Sequence, residues 1–343
     1  MLRRARFELP LQEQWALLQR VGELHVGGAD ASGEPIVRVL HHAIADDALW
    51  FHGAPGEKNR LVGRRVAISA HELVARIPSY ARDPQRACPA TTYFRSVAGR
   101  GRFERVEEAS AKAMGMQALM ERLQPEGGYQ PIHHDDSLYH SALKGLPVYR
   151  IRLDHMVGKA KLGQHLAGPE IERIVLALWK RGGEGDLAAI RTILEAHPAK
   201  PWPDVFRGPG PVRLIVHCTL RERAQAGRLL EGQYWTQGQE LASLEKVHEL
   251  SPAWVGALNP EGDLVGMARA QSDRYRRAYV MDTVVTPAVR GRGVGTALMK
   301  LLLNHPWVRE VASVGLATKN AGPFYRRLGF RSDDGFSLYR RSQ

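Results

Sequence analysis

The chain has 343 residues, is 44% hydrophobic and carries a formal net charge of +12, which is long for one domain and comfortable for two with real cores. No apolar run approaches the roughly 18–20 residues of a membrane span, so a membrane partner is not expected. The positive charge is arginine scattered along the chain with no Lys/Arg block or zinc-finger spacing, which leaves a nucleic-acid partner open but not favoured.

The N-terminus MLRRARFELPLQEQ lacks the apolar stretch of a secretory signal. Trp15, Leu18 and Val21 share one side of a helix over 11–22. From Glu23 the period becomes strand-like, with runs over 24–27, 36–44 and 48–51. Turn signals at Asp30-Ala31-Ser32-Gly33 and Asp46-Asp47 separate them. A further strand is predicted over 65–70, strand–turn–strand over 91–106, a helix over 108–122 and a strand over 149–156. Short antiparallel strands with one inserted helix point to a small β-barrel.

Three features of this half have plain readings beside the chemical ones. His41 and His42 are strand neighbours pointing to opposite faces, so they cannot share a metal. His133-His134-Asp135-Asp136 lies near Gly127, Gly128 and Pro131 and reads as a solvated loop. Cys88 reads as a small buried hydrophobe as readily as a thiol near a cofactor. With Cys218 far away in sequence it forms no framework or chelating pair, which predicts a reducing, cytoplasmic setting.

The segments RVLHHAI, FHGAPGEK and TTYFRSVAGRG, in that order, resemble the FMN-binding split barrel of the pyridoxamine 5′-phosphate oxidase-like proteins, in their nitroimidazole-reductase-related branch. GKAKLGQ, 158–164, is similar to a segment of related split barrels. The resemblance covers roughly residues 5–165. It implies a homodimer with each FMN in the groove between subunits. It further implies that Arg38 and Lys58 serve the FMN phosphate, and that Val39, Leu40 and His41 offer backbone groups to the isoalloxazine edge. His52 and Gly53 would lie beside the ribityl chain or ring, with Arg95 and Ser96 reaching the same groove. One departure is Gly56-Glu57, where family members often carry Ser or Arg before the lysine. An acid beside a phosphate is unfavourable.

The middle changes character. Two amphipathic helices are predicted over 169–181 and 185–197, with Pro169 and Pro198 at first-turn and stop positions. Pro201, Pro203, Pro209 and Pro211 with Gly208 and Gly210 then mark a linker. Beyond it the predicted order is βααβββαβαβ: strands over 212–219, 253–258, 263–271, 279–285 and 311–317, helices over 221–231, 239–249, 296–304 and 322–328, and a last strand.

The stretch VVTPAVRGRGVGTALMK, 284–300, is strand, glycine-rich turn and helix start. Free N–H groups, the helix dipole and close backbone approach suit such a turn to phosphate. It is neither a dinucleotide fingerprint nor a P-loop. It resembles the R-x-x-G-x-G/A acetyl-CoA signature of the GNAT N-acetyltransferase superfamily, and LATKNAGPFYRRLGF, 316–330, resembles the second motif of that superfamily. The resemblance covers roughly 209–343. It implies pyrophosphate held by N–H groups of Arg290, Gly291, Arg292, Gly293, Val294, Gly295 and Thr296. Val284 and Val285 would pair with pantetheine amides, Asn320 would touch the coenzyme, and Tyr325 would give the leaving thiolate its proton, with Phe324 turned to the core. A lysine-like amine of pKa about 10.4 is neutral only about one part in 10³ at pH 7, so a base is wanted. Glu249 and Asp282 are the candidates, each with a plainer reading as a surface or turn carboxylate.

The chain is therefore expected to be an α+β protein. An FMN-binding split β-barrel spans 1–165, a helical segment and Pro-rich linker 166–208, and a GNAT mixed α/β domain 209–343. The expected function is acetyl-CoA-dependent N-acetylation of a small-molecule or protein amine, joined to a flavin barrel whose oxidoreductase role is open. Two other readings stand: a ligand-sensing or transcription-regulatory protein, and a barrel without flavin that serves only to dimerise. No metal is expected.

Overall fold

The computed structural model describes residues 5–332 and 337–341. Two compact units divide the chain, Met1–Val74 with Thr92–Gln164, and Ala75–Thr91 with His165–Gln343. Residues 75–91 thus count with the second unit, where Arg82 pairs with Glu170 at 3.0 Å.

In the first unit, α1 (Leu11–Arg20) leads to β1 (Glu23–Ala29), β2 (Pro35–His41), β3 (Ala43–Ala45) and β4 (Ala48–His52). A single turn, α2 (Lys58–Leu61), precedes the long strands β5 (Arg65–Ile77) and β6 (Thr91–Val106). Helices α3 (Ala109–Leu123) and α4 (Ser137–Gly145) come before β7 (Val148–Lys161). The curled sheet runs β2-β1-β5-β6-β7-β4-β3. Burial alternates along β5, as in a sheet with one face on the core. Trp50, Ala48, Val106 and Val148 form part of that core.

Three differences from the sequence reading have local causes. The run over 36–44 breaks at His42, which is fully buried with Nε2 2.8 Å from Leu18 O. Residues 91–106 form one strand, not two. Its Gly-Arg-Gly is a bulge against β7, with a register shift between Arg100 and Gly101. A side-chain carbon at Gly101 would collide with Arg152 O. Helix α4 was not foreseen; Asp136 caps it by accepting from Leu138 N at 2.8 Å, which gives the end of the His-His-Asp-Asp loop a structural role.

In the second unit, α5 (Gly168–Arg181) and α6 (Asp186–Glu195) precede β8 (Arg213–Ile215), α7 (Leu220–Leu230), α8 (Leu241–Glu249), β9 (Ala253–Leu258) and β10 (Leu264–Ser272). Then follow β11 (Arg277–Val285), α9 (Val294–Leu303), β12 (Ser313–Ala317), α10 (Gly322–Arg326), β13 (Arg331–Ser332) and β14 (Ser337–Arg341). The sheet order is β13-β14-β12-β11-β10-β9-β8. The expected βααβββαβαβ order holds, with a strand pair at its end. Helices α5 and α6 belong to this unit. Trp179 packs edge-on to Phe206 and His305, at 5.4 and 5.7 Å between ring centroids, and Arg309 donates to Trp179 O at 3.1 Å. The proline-rich segment is built into the unit too, since Trp202, Phe206 and Val212 are buried.

Candidate functional site

The second sheet opens in the middle. Strands β11 and β12 run parallel and pair only over Arg277–Ser313, Ala278–Val314 and Tyr279–Gly315. Beyond Tyr279 they part, and a cleft of about 420 Å³ lies there. Its lining includes Tyr279, Asp282, Thr283, Val284, Val285, Arg290, Asn320 and Tyr325. Part of the splay comes from a bulge in β11. Against β10, Met267 faces Val284 and Arg269 faces Met281, so β11 carries one extra residue. Asp282 sits in it with φ +49°, a left-handed conformation rare for a residue with a side chain.

The two valines differ. Thr286 N donates across to Val265 O at 2.9 Å. Because the peptide is planar and trans, Val285 C=O must point the other way, into the splay. Arg290 Nε occupies it at 2.9 Å. Val285 is thus the residue that offers backbone to the gap, while Val284 is buried in the sheet.

The glycine-rich turn ends earlier than its sequence suggests. Gly293, at φ +84°, is the N-cap, and α9 begins at Val294. Arg290 N is spent on Pro287 O at 3.3 Å and Ala297 N on Gly293 O at 3.0 Å. The N–H groups from Gly291 to Thr296 lie between, with no backbone partner among the described residues. Six adjacent donors at a helix start suit pyrophosphate. Arg292 is exposed beside them.

Tyr325 lies on α10 and is 8% exposed. Burial pushes its phenol up from the ordinary value, and a hydrogen bond with Thr283 acts against that. Tyr325 lines the cleft as expected, but Phe324 is not the core residue of the pair. The tyrosine is the more buried ring, and Phe324 packs towards Gly295 on the first turn of α9. Asn320 lies at the mouth, after β12.

Of the two candidate bases, Asp282 lines the cleft and Glu249 does not. Glu249 ends α8 and pairs with Arg223 at 2.8 Å, which removes it from the reacting centre. Asp282 has its oxygens taken. Oδ2 accepts from Arg269 Nε at 2.5 Å and Oδ1 from Trp235 Nε1 at 2.9 Å. Both oxygens are thus engaged in structural contacts that tie β11 to β10 and to the Trp235 loop.

Sequence reasoning missed Tyr234 and Trp235, between α7 and α8. Their rings meet edge-on at 4.8 Å and line the cleft. Trp235 is pinned to β11 through Asp282, and Tyr234 OH accepts from Lys319 N at 3.1 Å, beyond β12. Two adjacent aromatics in a polar loop flanked by Gly232 and Gly238 were the available signal.

In the first unit, the residues expected around a flavin fall into two groups. Lys58 Nζ lies 3.4 Å from His52 O and 5.9 Å from the Tyr149 ring centroid, and burial lowers its pKa. Gly53, at φ +120°, faces it: a side-chain carbon there would lie 3.1 Å from Nζ. Burial, then Lys58, lower the pKa of His52. Glu57 pairs with Arg38 and Arg60, and Arg60 with Asp30, so Glu57 is neutralised where it stands. Val39 and His41 alternate with Arg38 and Leu40 on edge strand β2, whose outer backbone has no strand partner among the described residues. Arg95 and Ser96 are elsewhere. Arg95 pairs with Glu72 at 3.1 Å. Ser96 lies ten residues along β6 from Val106, which faces Val148 and, through it, His52. That is roughly 30 Å of strand path. Among the described residues no cluster of three or more metal-type ligands occurs. Cys88 is exposed, which removes its reading as a small buried hydrophobe, and Cys218 is buried; both are free.

Residues 10–160 match the family model described as pyridoxamine 5′-phosphate oxidase, and residues 249–332 that of an acetyltransferase (GNAT) domain. The chain joins a pyridoxamine 5′-phosphate oxidase-like domain to a GNAT domain. The GNAT part is similar to the protein described as probable acetyltransferase TAP2 of Glycine max, 37% identical over 94 residues, covering 27% of this chain and 37% of that one. It is also similar to histone acetyltransferase TAP1 of Glycine max, 38% identical over 76 residues, covering 22% and 33%. The chain thus spans about a third of the length of these curated relatives. Among solved structures, a GNAT-family acetyltransferase candidate from Xanthomonas campestris pv. campestris is 30% identical, covering 37% of this chain and 89% of that one, with a TM-score of 0.34. A candidate 5-nitroimidazole antibiotic resistance protein from Bacteroides thetaiotaomicron is 22% identical, covering 44% and 83%, with a TM-score of 0.33. No helix among the described residues is long and apolar enough to cross a membrane.

Proposed function

We propose that the GNAT domain transfers the acetyl group of acetyl-CoA to an amine, at the splay between β11 and β12. The observation that carries this is a cleft lined by Val285, whose carbonyl turns into the gap, by Arg290 and by the buried phenol of Tyr325, with the N–H groups at the start of α9 following Arg290 in the chain. The turn holds pyrophosphate, and Val285 takes the pantetheine arm. Arg290 now occupies Val285 C=O; a pantetheine amide N–H that takes its place frees the guanidinium for phosphate.

The amine nitrogen attacks the acetyl carbonyl, the C–N bond forms, and the tetrahedral adduct collapses with loss of the C–S bond. Tyr325 gives its proton to the departing sulfur and regains one from solvent. Its raised pKa keeps the proton in place at neutral pH. With Glu249 remote and Asp282 occupied, the amine enters in its neutral form and loses its second proton to water. The test follows free thiol with acetyl-CoA and a panel of amines, in wild type and Tyr325→Phe. Amine-dependent thiol release that the variant slows at least tenfold supports the reading; a full-rate variant removes Tyr325 as the acid.

For the first domain, we propose flavin binding, with FMN the form that fits its single phosphate. Lys58 is a cation with one long hydrogen bond, set against a glycine whose lack of a side chain leaves room beside the ammonium. Lys58 would hold the phosphate, with Arg38 joining if Glu57 turns wholly to Arg60. The edge of β2 would meet the ring. A bound flavin would supply two-electron redox chemistry. A homodimer through the sheet face that exposes Val37 and Val39 would let Arg95 and Ser96 serve the partner subunit's flavin instead of their own. Two free cysteines suit a reducing compartment such as the cytoplasm.

A further inference from the structure

We propose that the proline-rich segment before β8 binds the 3′-phosphoadenosine end of the acyl donor. This rests on the acetyl-CoA reading and deepens it, and it assigns a site outside the 249–332 span matched to GNAT. Residues 207–213 form a tight hairpin. Arg207 and Arg213 face each other in an isolated antiparallel bridge, Gly208 N donates to Val212 O at 2.8 Å, and Gly210 turns the tip at φ +60°. The tip reaches the turn that would hold pyrophosphate: a side-chain carbon at Gly293 would lie 3.4 Å from Pro209 Cγ. Beside the tip is a hollow of about 550 Å³ whose lining includes Lys200, Trp202, Asp204, Arg207 and Arg213.

Two arginines directly opposite each other on a bridge repel. Asp204 offsets one by pairing with Arg207. Arg213 instead lies over the buried Trp202 ring, 5.4 Å from its centroid. Lys200 donates to Leu166 O at 2.7 Å on another side of the hollow. Three cations against one carboxylate leave the hollow positive. The chemistry it fits is a phosphate monoester joined to a flat base: the ester against Arg207, Arg213 and Lys200, the base stacked on the guanidinium that Trp202 backs. Coenzyme A carries both groups one ribose beyond its pyrophosphate, and the hollow starts beside the pyrophosphate turn.

The test is calorimetric titration of the full chain with acetyl-CoA and with acetyl-3′-dephospho-CoA. Wild type is expected to bind acetyl-CoA at least tenfold more tightly. Arg207→Gln with Arg213→Gln should lose that preference, binding the two donors equally and the dephospho donor more weakly than wild type because the stacking guanidinium is gone too; an unchanged far-ultraviolet circular dichroism spectrum reports that it is folded. Should the double variant not fold, Lys200→Gln is to show a smaller loss of the same preference. Equal affinity of wild type for the two donors, or a folded variant that keeps the full preference, overturns the inference and leaves the acetyl-CoA reading standing. Binding of neither donor by wild type overturns both.

Discussion

Arg269 Nε donates to Asp282 Oδ2 at 2.5 Å, and the two side chains are only 8% and 10% exposed. The pair sits at the β11 bulge, where Arg269 also reaches Ser251 Oγ at 3.1 Å. Removing one partner of a buried pair strands the other charge. Asp282→Ala is expected to cost about 3–5 kcal/mol of stability, read as the shift in urea midpoint. A base with no structural duty would instead lose activity at unchanged stability.

Trp235→Phe removes one donor to Asp282 while keeping a ring in the cleft wall. It should raise the KM for the amine several-fold and leave acetyl-CoA affinity within about twofold, since the indole is bonded to Asp282 and not to the residues assigned to the coenzyme. Steady-state kinetics with each substrate varied checks this. An effect on acetyl-CoA alone would contradict it.

Without a free carboxylate at the reacting centre, kcat/KM should rise about tenfold per pH unit below the pKa of the acceptor amine. The pH profile should therefore shift when an amine of different basicity is used. A plateau at the same pH for all amines would mean that a protein base sets it.

Three buried histidines make an acid-stability prediction. Burial, its largest cause in each, pushes His42 and His248 down to about 4 and His305 to about 3. The unfolded rings take protons below about pH 6.5, the folded rings only near 4 or 3. Stability is thus full above about pH 6.5 and falls as pH drops towards 4, by up to about 1.4 kcal/mol per pH unit for each ring. A melting temperature flat from pH 7 to 5 would contradict this.

For the barrel, Lys58→Met should weaken FMN binding at least tenfold and leave the fold intact, as the ammonium makes one 3.4 Å hydrogen bond. Flavin fluorescence on titration reads it. Unchanged affinity would remove Lys58 from the phosphate site.

Much of this was legible in the sequence wherever the signal was local. The strand, Gly-rich turn and helix at 284–300 stood out because glycine conformation and apolar period are properties of neighbours. Gly99 and Gly101 misled for the same reason: a glycine marks a turn or a close approach, and only β7 decided for the approach. The occupation of Asp282 was not legible. It depends on Arg269 one strand away and Trp235 in a distant loop, contacts that neither period nor motif encodes. The same holds for Arg95, whose distance from His52 is set by strand register. The Pro/Gly content of 198–211 suggested a loose linker, but Trp202, Phe206 and Val212 supply the buried contacts that tie it down.

The most direct test of the central claim is the melting temperature of the GNAT unit in the full chain as acetyl-CoA is added. One saturable site should stabilise by about 2.7 kcal/mol at a hundred times its dissociation constant. Arg290→Ala with Arg292→Ala should blunt the rise. No shift at millimolar acetyl-CoA, or the same shift in the double variant, would contradict the placing of the donor at the start of α9.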